Sequence, residues 1–328
     1  MTRYTNNAGV DISAAVWLAY DDYDYVQSEN YISVTTLIKP VRQIILPQRL
    51  PKDTQPPDLI DVFRSRLGQA FHRAVEDAWK HHYRQSMEAL GYPKKAIDAV
   101  RINPEKEEPD TIPVHTEVRS EKEIDGYTVG GKFDLVIERR LRDVKMTSVW
   151  SFMNQKNVGK WRLQGSLYRW LNPEIIQHAD LVIQYLLTDW SGAGRKRDPV
   201  NYPAHPAPSR SFELMGVQET EQWVRNKLRL LQQYVSAPED QIPECSDEDL
   251  WRTDPVWKYY ANPEVAERNG RSTKNFNCPT EAAKFMASKG SKGVIKEVPG
   301  LVRACNYCPA APICSQYQRL LAQGQIAE

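Results

Sequence analysis

The chain has no long apolar run, no excess of either charge, and no cysteine in its first 244 residues. Apolar stretches such as 14–19 fall far short of the roughly 18 residues that a bilayer span needs, so no membrane-spanning segment is expected. The start, MTRYTNNAGVD, lacks a basic stretch followed by an apolar one, so export is not expected and a reducing cytoplasm is. Forty-three Lys and Arg against 42 Asp and Glu leave a formal +1. Overall charge therefore predicts neither a polyanion binder nor its opposite, and any affinity for nucleic acid must come from a local patch. The five cysteines all lie beyond residue 244, which excludes a disulfide framework spread over the chain and points to a local cluster. Internal repeats and low-complexity segments are also missing.

What is present is a chain of 328 residues, 41% hydrophobic, enough for a core in one or two domains. Segment 1–30 is polar, with the acidic aromatic run Asp21-Asp22-Tyr23-Asp24-Tyr25, and reads as an N-terminal arm. After Pro56-Pro57-Asp58, the residues Ile60, Phe63, Leu67, Phe71, Ala74 and Ala78 recur at helical steps, which predicts an amphipathic helix over roughly 58–90. Alternation around 114–118 and 127–139, with Asp125-Gly126 between, predicts a hairpin. A strand at 141–146, a helix at 160–170 and a buried strand at 179–187 follow. Segment 189–211, rich in Gly, Pro and basic residues, reads as a long surface loop, and helical spacing returns over 219–235. The expected division is an arm at 1–30, an α/β core at 31–235 and a small module at 236–328.

Within Gly131-Lys132-Phe133-Asp134-Leu135-Val136-Ile137, strand alternation sets Asp134 on the face opposite Phe133, Leu135 and Ile137. Asp143 and Lys145 are two apart on the next strand and so share a face. If the two strands bring Asp134 and Asp143 together, they form a site of hard oxygen ligands suited to Mg²⁺ or Mn²⁺, with Lys145 beside it to orient water. That is the chemistry of phosphodiester hydrolysis. A solvated strand face with a surface ion pair is the plain alternative for these three residues.

Four motifs in order change that balance. Residues 66–76, RLGQAFHRAVE, place His72 on a helix; Gly131-Lys132-Phe133-Asp134 and Asp143-Val144-Lys145 follow; Gln164 and Tyr168 then stand one helical turn apart. In this series the chain resembles the RecB-like (Cas4-like) branch of the PD-(D/E)xK nuclease superfamily, especially its small phage-encoded members. The resemblance implies a restriction-endonuclease-like fold, a mixed central sheet flanked by helices. It implies that His72, Asp134, Asp143 and the Val144 carbonyl hold the ion, that Lys145 positions water, and that Gln164 and Tyr168 hold the substrate strand. Glu76 and Glu117 are further acids near these motifs, while His81 and His82 read as surface residues. Arg195-Lys196-Arg197 is the candidate for phosphate contact.

Cys305, Cys308 and Cys314 form a C-x2-C-x5-C run. Three thiolates so close can hold one face of a tetrahedral Zn²⁺ or three corners of an iron–sulfur cluster, with a fourth from Cys245 or Cys278. Unmetallated cysteines in a small core are the alternative. The trio looks like the one that binds a [4Fe-4S] cluster in RecB-like and Cas4-like proteins, and 245–251 resembles the C-x5-W segment of phage relatives, which favours Cys245.

The expected function is thus a divalent-metal-dependent DNA exonuclease in end processing, recombination or phage DNA metabolism, within a bacterial or phage-infected cytoplasm. Its expected partners are DNA and a helicase, recombinase or single-strand-binding protein, with no membrane. Rival readings are a non-cleaving DNA-binding accessory on the same fold, and a redox protein built on the cysteines.

Overall fold

The computed structural model describes residues 3–21, 24–26, 28–51, 56–106 and 108–327. Asp22 and Tyr23 of the acidic aromatic run lie outside the described residues. In chain order, α1 (Ile12–Ala19), β1 (Tyr31–Ser33), α2 (Val34–Leu37) and α3 (Val41–Gln48) precede the long α4 (Leu59–Asp77). A π-helical turn at Ala78–His82 carries α4 into α5 (Tyr83–Ala89), followed by α6 (Lys94–Ala99) and β2 (Val100–Ile102). Then come β3 (Ile112–Ile124), β4 (Tyr127–Ile137), β5 (Arg140–Thr147), α7 (Val149–Asn154), α8 (Val158–Leu171) and β6 (Asp180–Leu187). The remainder is α9 (Gly192–Arg197), β7 (Ser209–Glu213), α10 (Val217–Tyr234), β8 (Val256–Tyr260), α11 (Pro263–Glu267), β9 (Lys274–Phe276), α12 (Pro279–Ser288), β10 (Val294–Val298) and α13 (Ser315–Ala322).

The chain divides into two units, 1–38 with 53–229 and 39–52 with 230–328. The first is a mixed α/β unit. Among the described residues its sheet has seven strands in the order β2-β3-β4-β5-β6-β7, with β1 added to β4. The β2–β3, β5–β6 and β1–β4 pairs are parallel and the others antiparallel, so the sheet is mixed and flanked by helices. Asp125 and Gly126 both take positive φ, 48° and 81°, as a two-residue hairpin turn requires. Helix α8 lies close over the sheet: a Cβ on Gly165 would come within 3.0 Å of both Leu181 and Leu214.

Within segment 1–30, read as an arm, α1 packs onto the first unit, burying Ala15 and Leu18 with Leu59 at the start of α4. Two expectations need correction here. Helix α4 begins where its Asp58 cap and Asp61 form a capping box, but its apolar stripe is left outside: Ile60, Phe63 and Leu67 are exposed, while Leu59 and Arg66 are buried. Arg66 is drawn inward because its guanidinium finds Leu18 O at 3.0 Å, Gln69 at 2.8 Å, the Tyr4 hydroxyl at 3.0 Å and the Asp21 carboxylate at 3.0 Å. Segment 189–211 is not a plain loop either. Ser191 caps α9, Trp190 donates to Pro203 O at 2.9 Å, and β7 pairs with β6 as an edge strand.

The second unit also departs from the boundaries read from sequence, since the division falls within α10 and 39–52 joins the C-terminal residues. Among the described residues its strands form a three-stranded antiparallel sheet, β10-β8-β9, whose Tyr259 and Phe276 are buried in one core with Ala282 of α12. A second small core gathers Cys245, Leu250, Val302, Cys305 and Leu320. Arg42 of α3 explains why 39–52 belongs here. It is 3% exposed, pairs with the Glu239 carboxylate, and donates to Glu239 O at 3.1 Å, Ile242 O at 2.8 Å and Pro243 O at 3.3 Å. A buried guanidinium is tolerated only with this degree of pairing; removing it takes the donor from several carbonyls, whereas the partly exposed Glu239 carboxylate keeps the Ser315 N–H and hydroxyl. Arg42→Met is therefore expected to destabilise the second unit by about 1–3 kcal/mol. Chemical denaturation followed by the fluorescence of Trp251 and Trp257 measures it, and a midpoint equal to wild type would show that the pairing contributes little.

Candidate active site

The hydrogen-bond register of the sheet sets Asp134 between two other carboxylates. In β3–β4 the paired positions Thr116↔Leu135 and Val118↔Phe133 flank Glu117 and Asp134, which stand opposite each other without forming a ladder pair. Glu117 takes φ 53°, a left-handed conformation that a side chain at mid-strand adopts only at a cost. In β4–β5 the ladder stops at Leu135↔Arg142, and the next positions in that register are Asp134 and Asp143. Asp143 continues the row to Ile183 of β6 and on to Arg210 of β7. Three acids on adjacent strands thus occupy one cross-strand row, with the ladder interrupted on both sides of the middle one.

Basic groups surround that row. Lys145 Nζ lies 2.8 Å from one Asp143 oxygen and 3.0 Å from the other, as expected for an i, i+2 pair on one face. Lys132, two residues before Asp134, pairs with Glu117. From α4, His72 Nδ1 reaches 3.3 Å from Asp134 Oδ2. Burial holds the Asp134 carboxyl well above the usual carboxylate range, reinforced by the charge and hydrogen bond of Asp143 and opposed by Lys145. Burial also lowers His72, in part against the attraction of Asp143, so its imidazole is held in the neutral form that can ligate a metal.

Asp134, Asp143, Trp161, Gln164, Gly165 and Tyr168 line one cavity. Gln164 Nε2 donates to the Tyr168 hydroxyl at 2.9 Å. Gly131 lets the ring of Tyr168 approach β4, since a Cβ there would meet Val34 at 2.8 Å and Tyr168 at 2.9 Å. Val144 sits between Asp143 and Lys145, opposite Gln184. Glu76 instead pairs with Lys80, and His82 with Asp77, away from the row. In α9, Arg195 donates to Pro199 O and, at 2.8 Å, to Tyr202 O, so one of the three basic residues is engaged by its own loop. Trp161 and Lys132 were not singled out from sequence. Trp161 stands three residues before Gln164 on the same helix, which was a usable signal.

In the second unit, Cys245, Cys305, Cys308 and Cys314 line a second cavity together with Arg42, Leu46 and Leu250. Cys278 does not; it stands at the start of α12, where backbone hydrogen bonds from the helix start, Glu281 foremost, lower its thiol. Burial pushes the Cys245 thiol up to about 12 and the Cys305 thiol to about 11, with the neighbouring thiols adding to it. Gln316 fixes Cys245 from α13, accepting from its N–H at 2.9 Å and donating to its carbonyl at 2.8 Å. Arg42 Nη1 reaches 3.4 Å from Cys314 Sγ. Arg42 was missed from sequence although it is a lone charge in the otherwise uncharged segment 40–48. Among the described residues, no group of three or more His, Cys, Asp or Glu side chains is arranged to hold an ion as it stands. The donor chemistry nevertheless fits: hard oxygens in one cavity with the His72 imidazole 3.3 Å from one of them, and four soft thiols in the other.

The chain matches no protein-family model and no curated protein. It is similar to a solved structure described as the crystal structure of SSO0001, at 15% identity over 66% of this chain and 81% of that one, with a TM-score of 0.39. Similarity at that level carries no inference about activity. Among the described residues, no helix is long and apolar enough to cross a membrane.

The raised Asp134 carboxyl has a pH consequence. Because its protonated form is favoured in the folded chain, the associated stability is full at low pH and is lost as pH rises through the raised value. Asn keeps the shape without titrating. In metal-free buffer Asp134→Asn should be more stable than wild type at neutral pH, and the gain should shrink as pH falls toward the ordinary value of 3.8. Urea midpoints of both proteins across pH test this; a gain independent of pH would exclude carboxylate burial as its cause.

Proposed function

We propose that the chain is a divalent-metal-dependent deoxyribonuclease of the RecB-like, PD-(D/E)xK kind, hydrolysing phosphodiester bonds from DNA ends. The observation that supports this most is the placement of Asp134 and Asp143 at facing positions of adjacent strands, one step beyond the last ladder pair, with Lys145 2.8 Å from Asp143 on the same face and His72 3.3 Å from Asp134. Half-buried acids in a row repel one another, and a divalent cation relieves that repulsion more fully than one proton can. His72, Asp134, Asp143 and the Val144 carbonyl would hold Mg²⁺ or Mn²⁺, which supplies polarisation of the phosphate and acidification of water when bound.

Each remaining role belongs to the chain's own groups. Lys145, anchored by Asp143, orients a water toward the phosphorus and offsets charge that develops on the phosphate oxygens. Gln164 and Tyr168, joined by their hydrogen bond, present an amide and a phenol into the cavity and hold the strand in line for attack. Glu117 is paired with Lys132, which offsets its charge beside the other two acids.

Asp143→Ala and Lys145→Ala should each lower cleavage of labelled linear DNA by at least about 100-fold, because each removes a group acting on the developing charge. Gln164→Ala and Tyr168→Ala should lower it less and leave calorimetric Mn²⁺ binding intact. Full activity in Asp143→Ala would overturn the assignment, and lost Mn²⁺ binding in Gln164→Ala would overturn the division of roles.

The second cavity extends the reading: Cys245, Cys305, Cys308 and Cys314 would hold a [4Fe-4S] cluster, with structural Zn²⁺ as the alternative. Thiols pushed up by burial are poor anions on their own, and a bound metal would stabilise them as thiolates and tie α13 to the Cys245 segment. Protein purified without oxygen should be brown and contain iron and sulfide. Colourless protein with about one Zn²⁺ per chain would select zinc, and the absence of both metals would reject the centre. Cys245→Ser should lose the metal, whereas Cys278→Ser should keep it.

A further inference from the structure

Residues 254–299 are an outgrowth of the second unit whose ends meet. Thr253 N donates to Leu301 O at 2.9 Å, Leu301 N donates to Thr253 Oγ1 at 2.9 Å, and a Cβ on Gly300 would collide with Thr253 O. Between these ends β8, α11, β9, α12 and β10 close a core of their own around Tyr259, Phe276 and Ala282. Leu250 and Val302, on either side of the neck, pack with Cys245 and Cys305 instead. The cysteine core therefore does not account for the outgrowth.

Its charge is one-sided. Over 258–296 there are eight Lys and Arg against three Glu and no Asp, a net +5 in a chain of net +1, so the remainder of the chain is net −4. The ion pairs of the second unit join Arg42 to Glu239, Arg252 to Asp247 and Arg319 to Glu244; among the described residues none involves these eight cations. Like charges are also set close together. Lys258 of β8 stands directly opposite Lys296 of β10, in a row that continues to Asn275 of β9. Strand alternation turns this row away from the face on which Trp257, Tyr259 and Phe276 pack. Lys296 Nζ reaches Asn269 Oδ1 at 2.5 Å, a neutral partner that leaves its charge in place. On the packed face, Lys274 Nζ lies 4.7 Å and Lys289 Nζ 5.4 Å from the centre of one ring, that of Phe285. Like charges directly across a ladder destabilise it, and an anion bound between them removes that repulsion.

The surface lacks what other partners would need. Among the described residues no large apolar side chain is exposed between Trp251 and Leu301, whereas protein interfaces centre on aromatic or aliphatic anchors. An unpaired nucleic-acid strand stacks its bases on exposed aromatics, and none is offered here. A duplex needs neither, because its phosphates form a continuous line of negative charge that lysines meet without apolar contact. We propose that the sheet β10-β8-β9 is a second DNA contact, which grips the backbone of double-stranded DNA through Lys258 and Lys296, supported by Lys274 and Lys289, without reading sequence. The contact belongs to the outgrowth and not to the cavity of Asp134 and Asp143. It rests on the nuclease reading for the identity of the polyanion.

The full-length protein is tested with a fluorescein-labelled blunt duplex of mixed sequence, with Ca²⁺ replacing Mg²⁺ so that anisotropy reads binding without cleavage. The double variant Lys258→Gln, Lys296→Gln should weaken duplex binding by about 10- to 100-fold near about 0.1 M salt and reduce the slope of log K against log salt by about 2. Lys274→Gln with Lys289→Gln should act in the same direction, and Lys258→Arg with Lys296→Arg should keep wild-type binding. The urea midpoint of Lys258→Gln, Lys296→Gln should equal or exceed that of wild type, because a repulsive pair is gone, which separates a lost contact from lost folding. With Mg²⁺ that variant should show a raised KM for the duplex and a kcat near wild type. Unchanged affinity and slope in both Gln double variants would overturn the proposal, as would an equal loss on a single strand of the same length. Loss of binding to polyglutamate with duplex binding kept would assign the face to an acidic protein and overturn it too. Wild-type protein that binds duplex through these lysines yet cleaves no DNA would uphold the contact and overturn the nuclease reading instead.

Discussion

Asp134 sits in a sheet between two other carboxylates, and much of the first unit is arranged around that repulsion. The β3–β4 ladder gives up a pair at Glu117, and the β4–β5 ladder ends just before Asp143, so regular strand hydrogen bonding is lost where the acids meet. Lys132 pairs with Glu117, Lys145 holds Asp143, and His72 arrives from α4, separated from β4 in the chain by two helices and two strands. While they stay charged, each acid lowers the stability of the others. The lost ladder pair and the raised Asp134 carboxyl belong together: both are local costs of setting three acids in one row.

The same logic of buried polar groups operates in the second unit with different chemistry. Arg42 is held by Glu239 and by backbone carbonyls of 239, 242 and 243, and its remaining reach touches Cys314. Gln316 spans the chain to fix the backbone of Cys245. These two side chains bring segments far apart in sequence to one thiol-lined cavity. The apolar core around it is small, Leu250, Val302 and Leu320 with two of the cysteines, so polar anchoring carries an unusual share of the order there.

Much of the secondary structure was legible from local rules. Alternation and the Asp125-Gly126 turn located the hairpin, and i, i+2 spacing put Asp143 and Lys145 on one face. The helix bearing Gln164 and Tyr168 followed from helical spacing. Less was legible where a residue's behaviour depended on partners elsewhere. The stripe Ile60, Phe63 and Leu67 has the spacing of a buried face, yet Arg66 won the interior because Tyr4, Asp21 and Leu18 O were there to receive it. Polar segment 1–30 holds a packed helix because two small-to-medium apolar residues, Ala15 and Leu18, find Leu59.

By itself, the sequence determined which side chains could do chemistry: two aspartates and a lysine at strand spacing, a histidine on a helix, a Gln–Tyr pair one turn apart and a cysteine trio. Residue type and period suffice for that, because the alternation of a strand and the turn of a helix are properties of the backbone. Only the tertiary structure decided that Glu117 stands across from Asp134, that Cys245 and not Cys278 joins the trio's cavity, and that 39–52 belongs with the C-terminal residues. Each of those outcomes depends on strand register or on a buried hydrogen bond between residues far apart in sequence, and such pairings leave no periodic trace in the chain.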